Sequence, residues 1–192
     1  MEQKGSQPNI DAILNGDSQA FSKLVDGHKN LVYTVALRML KNTEEAEEVA
    51  QDTFIKVFKS LKYFKGDSKF STWIYRIAYN TCLDRLKKNK KEFLNKSVDE
   101  ITGFEIEDTS NALEDIIASE KSLLIRKCIE QLASKDAALI TFFYFEEKSL
   151  KELSDILDLA ENTVKVRLFR ARARLALILK EKLALRIIEN YG

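Results

Sequence analysis

Apolar residues recur three and four positions apart along most of the chain, and this spacing predicts helices. The pattern is sharpest near the end. Leu150, Leu153, Ile156 and Leu157 form one stripe, and Val164, Leu168, Ala171 and Leu175 form a second. Asp158-Leu159-Ala160, between them, is too short for anything but a turn. Ser149 followed by Glu152 forms a capping box, in which side chain and backbone satisfy each other's unpaired groups and mark the start of the first helix. Two helices joined by a tight turn have the shape of a helix-turn-helix, whose second helix enters the DNA major groove.

The same reading extends backwards. Asp17 can cap a short helix with Ala20, Phe21 and Leu24 inward. Leu31 to Leu40 is apolar and central. Asn42 with Glu45 at the third helical position resembles another capping box, opening a helix to about Leu61. Lys65 to Lys69 is a loop, and Phe70 to about Lys91 is a long helix. Further helices are expected over about 112–131 and 134–146. Periodicity fails over 92–111, and residues 1–9 are expected to be disordered. The fold class is therefore all-α, with two small helical domains, 10–91 and 112–192, joined by a flexible acidic linker over 92–111. A single Pro and six Gly among 192 residues agree with an all-helical chain.

Net charge is +1, so bulk charge points to no partner, but the charges are segregated. Ser97 to Glu120 holds eight acidic residues and no Lys or Arg, whereas Arg85 to Lys96 holds six basic residues and one acidic. Cys82 and Cys128 lack metal spacing and His28 stands alone, so no metal, disulfide framework or cofactor is expected, and a reducing cytoplasm fits. The polar opening Met1 to Asn9 is no signal peptide, and no apolar run approaches the roughly 20 residues needed to span a bilayer. There is no Gly-rich phosphate loop or nucleophile elbow, so neither an enzyme nor a small-molecule substrate is expected.

Three helical faces carry candidate chemistry. On the final helix, Asn162, Val166, Phe169 and Ala173 lie opposite the buried stripe, flanked by Lys165, Arg167, Arg170, Arg172 and Arg174. Cations suit phosphates, and the outward polar and apolar residues suit base edges, including a thymine methyl. On helix 43–61, Ala46, Ala50, Thr53, Val57 and Leu61 form the core stripe. Glu48, Gln51, Asp52, Ile55 and Lys59 face outward. Ile55, apolar on a polar face, is either the anchor of a protein-docking patch or packed on a neighbouring helix of its own domain. On the helix from Phe70, Trp73, Arg76, Asn80, Asp84 and Lys87 share one face, with Phe64 and Phe70 flanking the preceding loop. Aromatics interleaved with cations suit unpaired bases, and such a pocket can offset the cost of flipping a base. The alternative is an amphipathic helix whose Trp73 is core.

Together these segments resemble a known family. Residues 46–58 (AEEVAQDTFIKVF) are similar to the polymerase-binding segment of bacterial sigma factors. Residues 70–86 (FSTWIYRIAYNTCLDRL) resemble the adjoining −10-recognition segment, and residues 163–175 (TVKVRLFRARARL) the −35-recognition helix. Their order and separation match the extracytoplasmic-function group, which keeps sigma domains 2 and 4.

The resemblance implies a promoter-specificity subunit that binds core RNA polymerase and promoter DNA, with an anti-sigma factor as a further partner. By it, Glu48, Gln51, Asp52 and Ile55 face the polymerase clamp. Phe64, Phe70, Trp73, Arg76 and Asn80 capture the melted −10 strand. Asn162, Thr163, Lys165, Val166, Phe169 and Arg170 read the −35 duplex, while Arg167, Arg172 and Arg174 hold phosphates or the fold. The acidic linker would thread the polymerase channel. Asp158 and Asn162 depart from the small residue or Gly common at those positions. The competing readings are a stand-alone helix-turn-helix regulator and a helical enzyme or interaction protein with no nucleic-acid role.

Overall fold

In the computed structural model, residues 9–95 and 123–191 are described, and their regular structure is entirely helical. Helix α1 (Ile10–Leu14) is capped by Asn9, whose side chain accepts from the Ala12 amide at 3.1 Å. Asn9 thus belongs to the folded unit and not to a disordered terminus; residues 1–8 lie outside the described residues. Asp17 accepts from the Ala20 amide at 3.0 Å and opens α2 (Ser18–Leu40). The expected short helix and the central apolar segment are one continuous element. It passes through Gly27, whose cost of about 1 kcal/mol in a helix interior is small beside the burial of Leu24, Leu31, Val32, Val35 and Met39.

Lys41 takes the left-handed conformation and ends α2, and Asn42 caps α3 (Thr43–Ser60) through the Glu45 amide at 2.8 Å. The reciprocal half of the expected capping box does not form. The Glu45 carboxylate instead accepts from Asn89 Nδ2 at 2.9 Å on α4 (Phe70–Asn95), a partner 44 positions away. A short 3₁₀ turn (Leu61–Tyr63) and the loop 64–69 connect α3 to α4. Helix α4 runs four residues past the expected linker boundary. The remainder of that linker lies outside the described residues, as does the expected helical stretch 112–122.

The second unit comprises α5 (123–130), α6 (Ser134–Ile140), a π-helical turn (Thr141–Phe145), α7 (Leu150–Leu157) and α8 (Glu161–Tyr191). The Ser149–Glu152 capping box is complete. Asp158 closes α7 in the left-handed region at φ 54°, which a short polar residue tolerates better than most others. Asp158 therefore stands where a Gly would be easiest, and the turn still forms.

The two units do not stand apart. Their buried residues form a single apolar core, with α2 packed on α6 and α4 on α7. Tyr75 of α4 lies 5.9 Å, ring to ring, from Phe142, one of the largest fully buried side chains. The Tyr75 hydroxyl is pushed far above its ordinary value, first by burial and then by the charge of Glu146. Ser134 Oγ donates to the Met39 carbonyl at 2.6 Å. Arg38, itself buried, donates from Nη1 to Thr141 Oγ1 at 2.7 Å and lies 4.5 Å from the Phe145 ring centre.

Candidate nucleic-acid and protein interfaces

Helix α8 presents the basic face with little distortion of the expected pattern. Val164, Leu168 and Ala171 are buried, and Leu175 is half-buried. Asn162, Thr163, Lys165, Val166, Arg167 and Arg170 are exposed, and Phe169 protrudes furthest at 71% exposure. A single exposed ring is ordinary on a protein surface, but this one stands between cations. The structure splits the five cations. Arg172 stacks over the Phe143 and Tyr144 rings, 5.0 and 5.3 Å from their centres, and Arg174 pairs with Asp136. These two brace α8 against its own unit. Lys165, Arg167 and Arg170 flank Phe169 towards solvent.

The aromatic face of α4 forms a cavity of about 240 Å³, lined by Phe64, Lys65, Thr72, Trp73, Arg76 and Asp155 among others. Phe64 stands 5.0 Å from Phe70 and 5.3 Å from Trp73, ring to ring, so the three make one aromatic wall. Phe70 is buried and supports this wall from behind, while Trp73 is half-buried with part of its ring on the cavity. Asn80 and Arg76 are exposed on the same flank. Thr72 is buried beneath the cavity lining. The cavity falls below the roughly 300–1,000 Å³ of drug-sized pockets, and Asp155 of α7 supplies part of its wall.

On α3, Gln51, Asp52 and Ile55 are exposed, and Ile55 retains 50% of its surface. The other half of its surface is packed within the protein, so the structure leaves room for a partner on Ile55 without assigning one. Glu48 is tied down, accepting from Arg85 Nη1 at 2.8 Å. Periodicity did not flag Phe58, one turn on at 52% exposure, or Tyr63 at 67%. Both read as ordinary apolar positions until the neighbouring helices are in place.

Three contacts join these faces to the second unit, and none had a local signal in the sequence. Arg76 Nη2 donates to Asp158 Oδ1 at 3.0 Å. The Lys148 ammonium lies 5.2 Å from the Tyr75 ring centre. The Lys69 ammonium lies 3.0 Å from Glu152 Oε1 and pairs with its charge. Burial alone would raise the Glu152 carboxyl; the Ser149 amide, Lys69 and the Ser149 hydroxyl outweigh it and hold the group below its ordinary value. Among the described residues no cluster of His, Cys, Asp or Glu could hold a metal, and no helix is long and apolar enough to cross a membrane.

With this geometry in view, the likeness to known proteins is extensive. Residues 24–92 match the family description Sigma-70 region 2, and residues 122–175 match Sigma-70, region 4. The chain is 34% identical over 174 residues to the ECF RNA polymerase sigma factor SigW of Bacillus subtilis, covering 86% of this chain and 92% of that protein. It is 30% identical over 177 residues to the ECF RNA polymerase sigma-E factor of Escherichia coli K12, covering 89% and 92%. Its fold is similar to that of RpoE from Bartonella quintana, solved with the anti-sigma factor NepR. There the TM-score is 0.65 at 21% identity, covering 84% of this chain and 98% of that one. It is also similar to CnrH, solved with the cytosolic domain of CnrY, with a TM-score of 0.62 at 21% identity, covering 90% and 95%.

Proposed function

Because the chain belongs to the extracytoplasmic-function sigma factors of the sigma-70 family, we propose that its two units read two promoter elements on behalf of core RNA polymerase. It is a promoter-specificity subunit. Helix α8 takes the −35 duplex, and α4 with the loop 64–69 takes the melted −10 strand. The observation that carries this division is the pairing of two unlike faces. The α8 face, a protruding Phe169 among Lys165, Arg167 and Arg170, fits a duplex groove and its phosphates. The α4 face has a base-sized cavity walled by Phe64 and Trp73, with Arg76 and Asn80 at its side, and fits an unpaired strand.

Domain boundaries follow from the same reading: α1–α4 is the polymerase-binding and melting unit, and α5–α8 the duplex-reading unit. On α3, Gln51, Asp52 and Ile55 dock the polymerase clamp, with Phe58 extending the apolar centre of that face. Glu48 contributes through its fixed position beside Arg85. The protein performs no chemistry itself; strand opening is driven by binding energy. It acts where the polymerase is, in the cytoplasm, and an anti-sigma factor restrains it. A stand-alone regulator would bind its duplex tightly without polymerase and would have no use for the α4 cavity.

Run-off transcription with core polymerase on a library of genomic upstream fragments tests the reading. The expected result is a set of discrete transcripts sharing −35 and −10 elements. Output no different from core polymerase alone would refute it.

A further inference from the structure

Helices α3 and α4 run antiparallel, and polar pairs cross the seam between them in register. Glu45 accepts from Asn89 Nδ2 at 2.9 Å on both carboxylate oxygens, and Glu48 Oε2 accepts from Arg85 Nη1 at 2.8 Å. Further along, Lys56 Nζ donates to Thr81 Oγ1 at 3.2 Å and lies 3.7 Å from Asp84. One rung differs from the others. Arg85 keeps only 18% of its side chain in water, whereas Glu48 keeps 64%, so this pair reaches from the seam to the surface. The bond to Glu48 comes first among the causes that hold the guanidinium above its ordinary value, and the charges of Glu48, Glu45 and Asp52 act in the same direction against burial. We propose that Arg85 is a positioning residue for polymerase docking: it holds Glu48 by Oε2 and presents Oε1, already oriented, to a cationic or N–H donor of the polymerase.

This rests on the assignment of the α3 face to the polymerase. Glu48 lies one turn before Asp52 and two before Ile55 on that face. An ion pair with one partner so exposed adds little to folding. What it supplies is direction. A free glutamate must give up rotamer freedom when it binds a partner, and that loss lowers affinity. Glu48 has met part of this loss in the free chain, because the nearly covered Arg85 fork fixes one of its oxygens. A carboxylate accepts at both oxygens, so the bond to Arg85 leaves the second for the polymerase. Arg85 thereby brings α4 into an interface otherwise built on α3.

The test uses the full chain and immobilised core polymerase, with biolayer interferometry for affinity and a thermal melt of the free chain for stability. Arg85→Met keeps the covered stem and removes the donor. It should weaken binding about threefold to fivefold, the range of one partly exposed ion pair, and Glu48→Gln should do the same. The double variant should bind no more weakly than either single one, because Arg85 acts through Glu48. Arg85→Lys still offers Glu48 a cationic donor and should recover most of the affinity. That recovery should vanish when Glu48 is replaced by Gln. The melting temperature should move by less than about 4 °C in each case.

If the losses of Arg85→Met and Glu48→Gln add, Arg85 acts through the fold and the proposal is overturned. Parental or tighter binding of Arg85→Met also overturns it, since Arg85 would then hold Glu48 away from the polymerase. Should Arg85→Met melt early, Arg85→Gln carries the same cycle with a neutral donor kept in the seam. If Ile55→Glu abolishes binding while neither Arg85→Met nor Glu48→Gln changes it, the positioning role is refuted and the docking reading stands. If none of the three changes binding, the docking reading itself fails.

Discussion

Replacing Ile55 separates its two possible roles, because half of its surface is still in water. Fully burying an isoleucine stabilises by about 1.5–3 kcal/mol, so roughly 1 kcal/mol remains to be gained when a partner covers the exposed half. Ile55→Ala should therefore weaken binding to core polymerase about fivefold to tenfold. Ile55→Glu goes further. It removes the same apolar contact, places a carboxylate one turn from Asp52, and forces an unpaired charge into the covered centre of the patch. Together these should cost at least about 3 kcal/mol, or more than a hundredfold in affinity. The helix itself is indifferent to the change, since its core stripe is Ala46, Val49, Thr53, Phe54 and Val57. Exposed substitutions of this kind shift stability by about 0.5 kcal/mol or less. Biolayer interferometry against immobilised core polymerase gives the affinity, and a thermal melt of the free chain gives the stability. Parental affinity of Ile55→Glu with an unchanged melt would refute the docking role. A large fall in melting temperature would show instead that Ile55 is packed by its own protein.

Asn80→Ala should reduce open-complex formation about fivefold, the loss of one hydrogen bond of roughly 1 kcal/mol, and leave −35 duplex binding unchanged; equal losses in both assays would count against the flipped-base role. Phe169→Ala should alter −35 sequence preference in a randomised-duplex selection, and an unchanged preference would make the ring an ordinary exposed side chain. Thr141→Val strips the buried Arg38 guanidinium of its 2.7 Å acceptor and should destabilise the chain by about 2 kcal/mol in urea unfolding. Arg38→Met removes the charge together with its need for a partner, so its cost should be smaller than that of Thr141→Val. Burial pushes the Cys82 thiol up to about 12 and also raises Cys128. Native protein should consequently react slowly with a thiol reagent at pH 8 and urea-unfolded protein quickly; rapid labelling of the native state would contradict the packing described.

The helix-turn-helix was legible almost residue by residue. Ser149 and Glu152 cap each other, and Val164, Leu168 and Ala171 turn inward, because capping and amphipathic spacing are properties of a few neighbouring positions. The outward residues on α3, α4 and α8 followed from the same spacing. Elsewhere, local reasoning met a distant competitor. Glu45 left its expected capping partner for Asn89, and of the two roles expected for Arg172 and Arg174, phosphates or the fold, their contacts with Phe143, Tyr144 and Asp136 belong to the fold. Phe70 sits at a position compatible with base contact, yet the packing of Phe64 and Trp73 places it behind the wall.

The chain's own pattern determined the helices, their buried faces and the outward residues proposed as the two readers, since each depends on residues within a turn or two of one another. Tertiary structure decided which readers are free. Arg38 meets Thr141 across 103 positions, Arg76 meets Asp158 across 82, and Lys69 meets Glu152 on the far unit. Such contacts depend on how two finished surfaces fit, and no periodicity along a single helix encodes that fit. The basic face of α8 stands open, whereas Arg76 of α4 and Lys69 just before it are already held by Asp158 and Glu152 of the second unit.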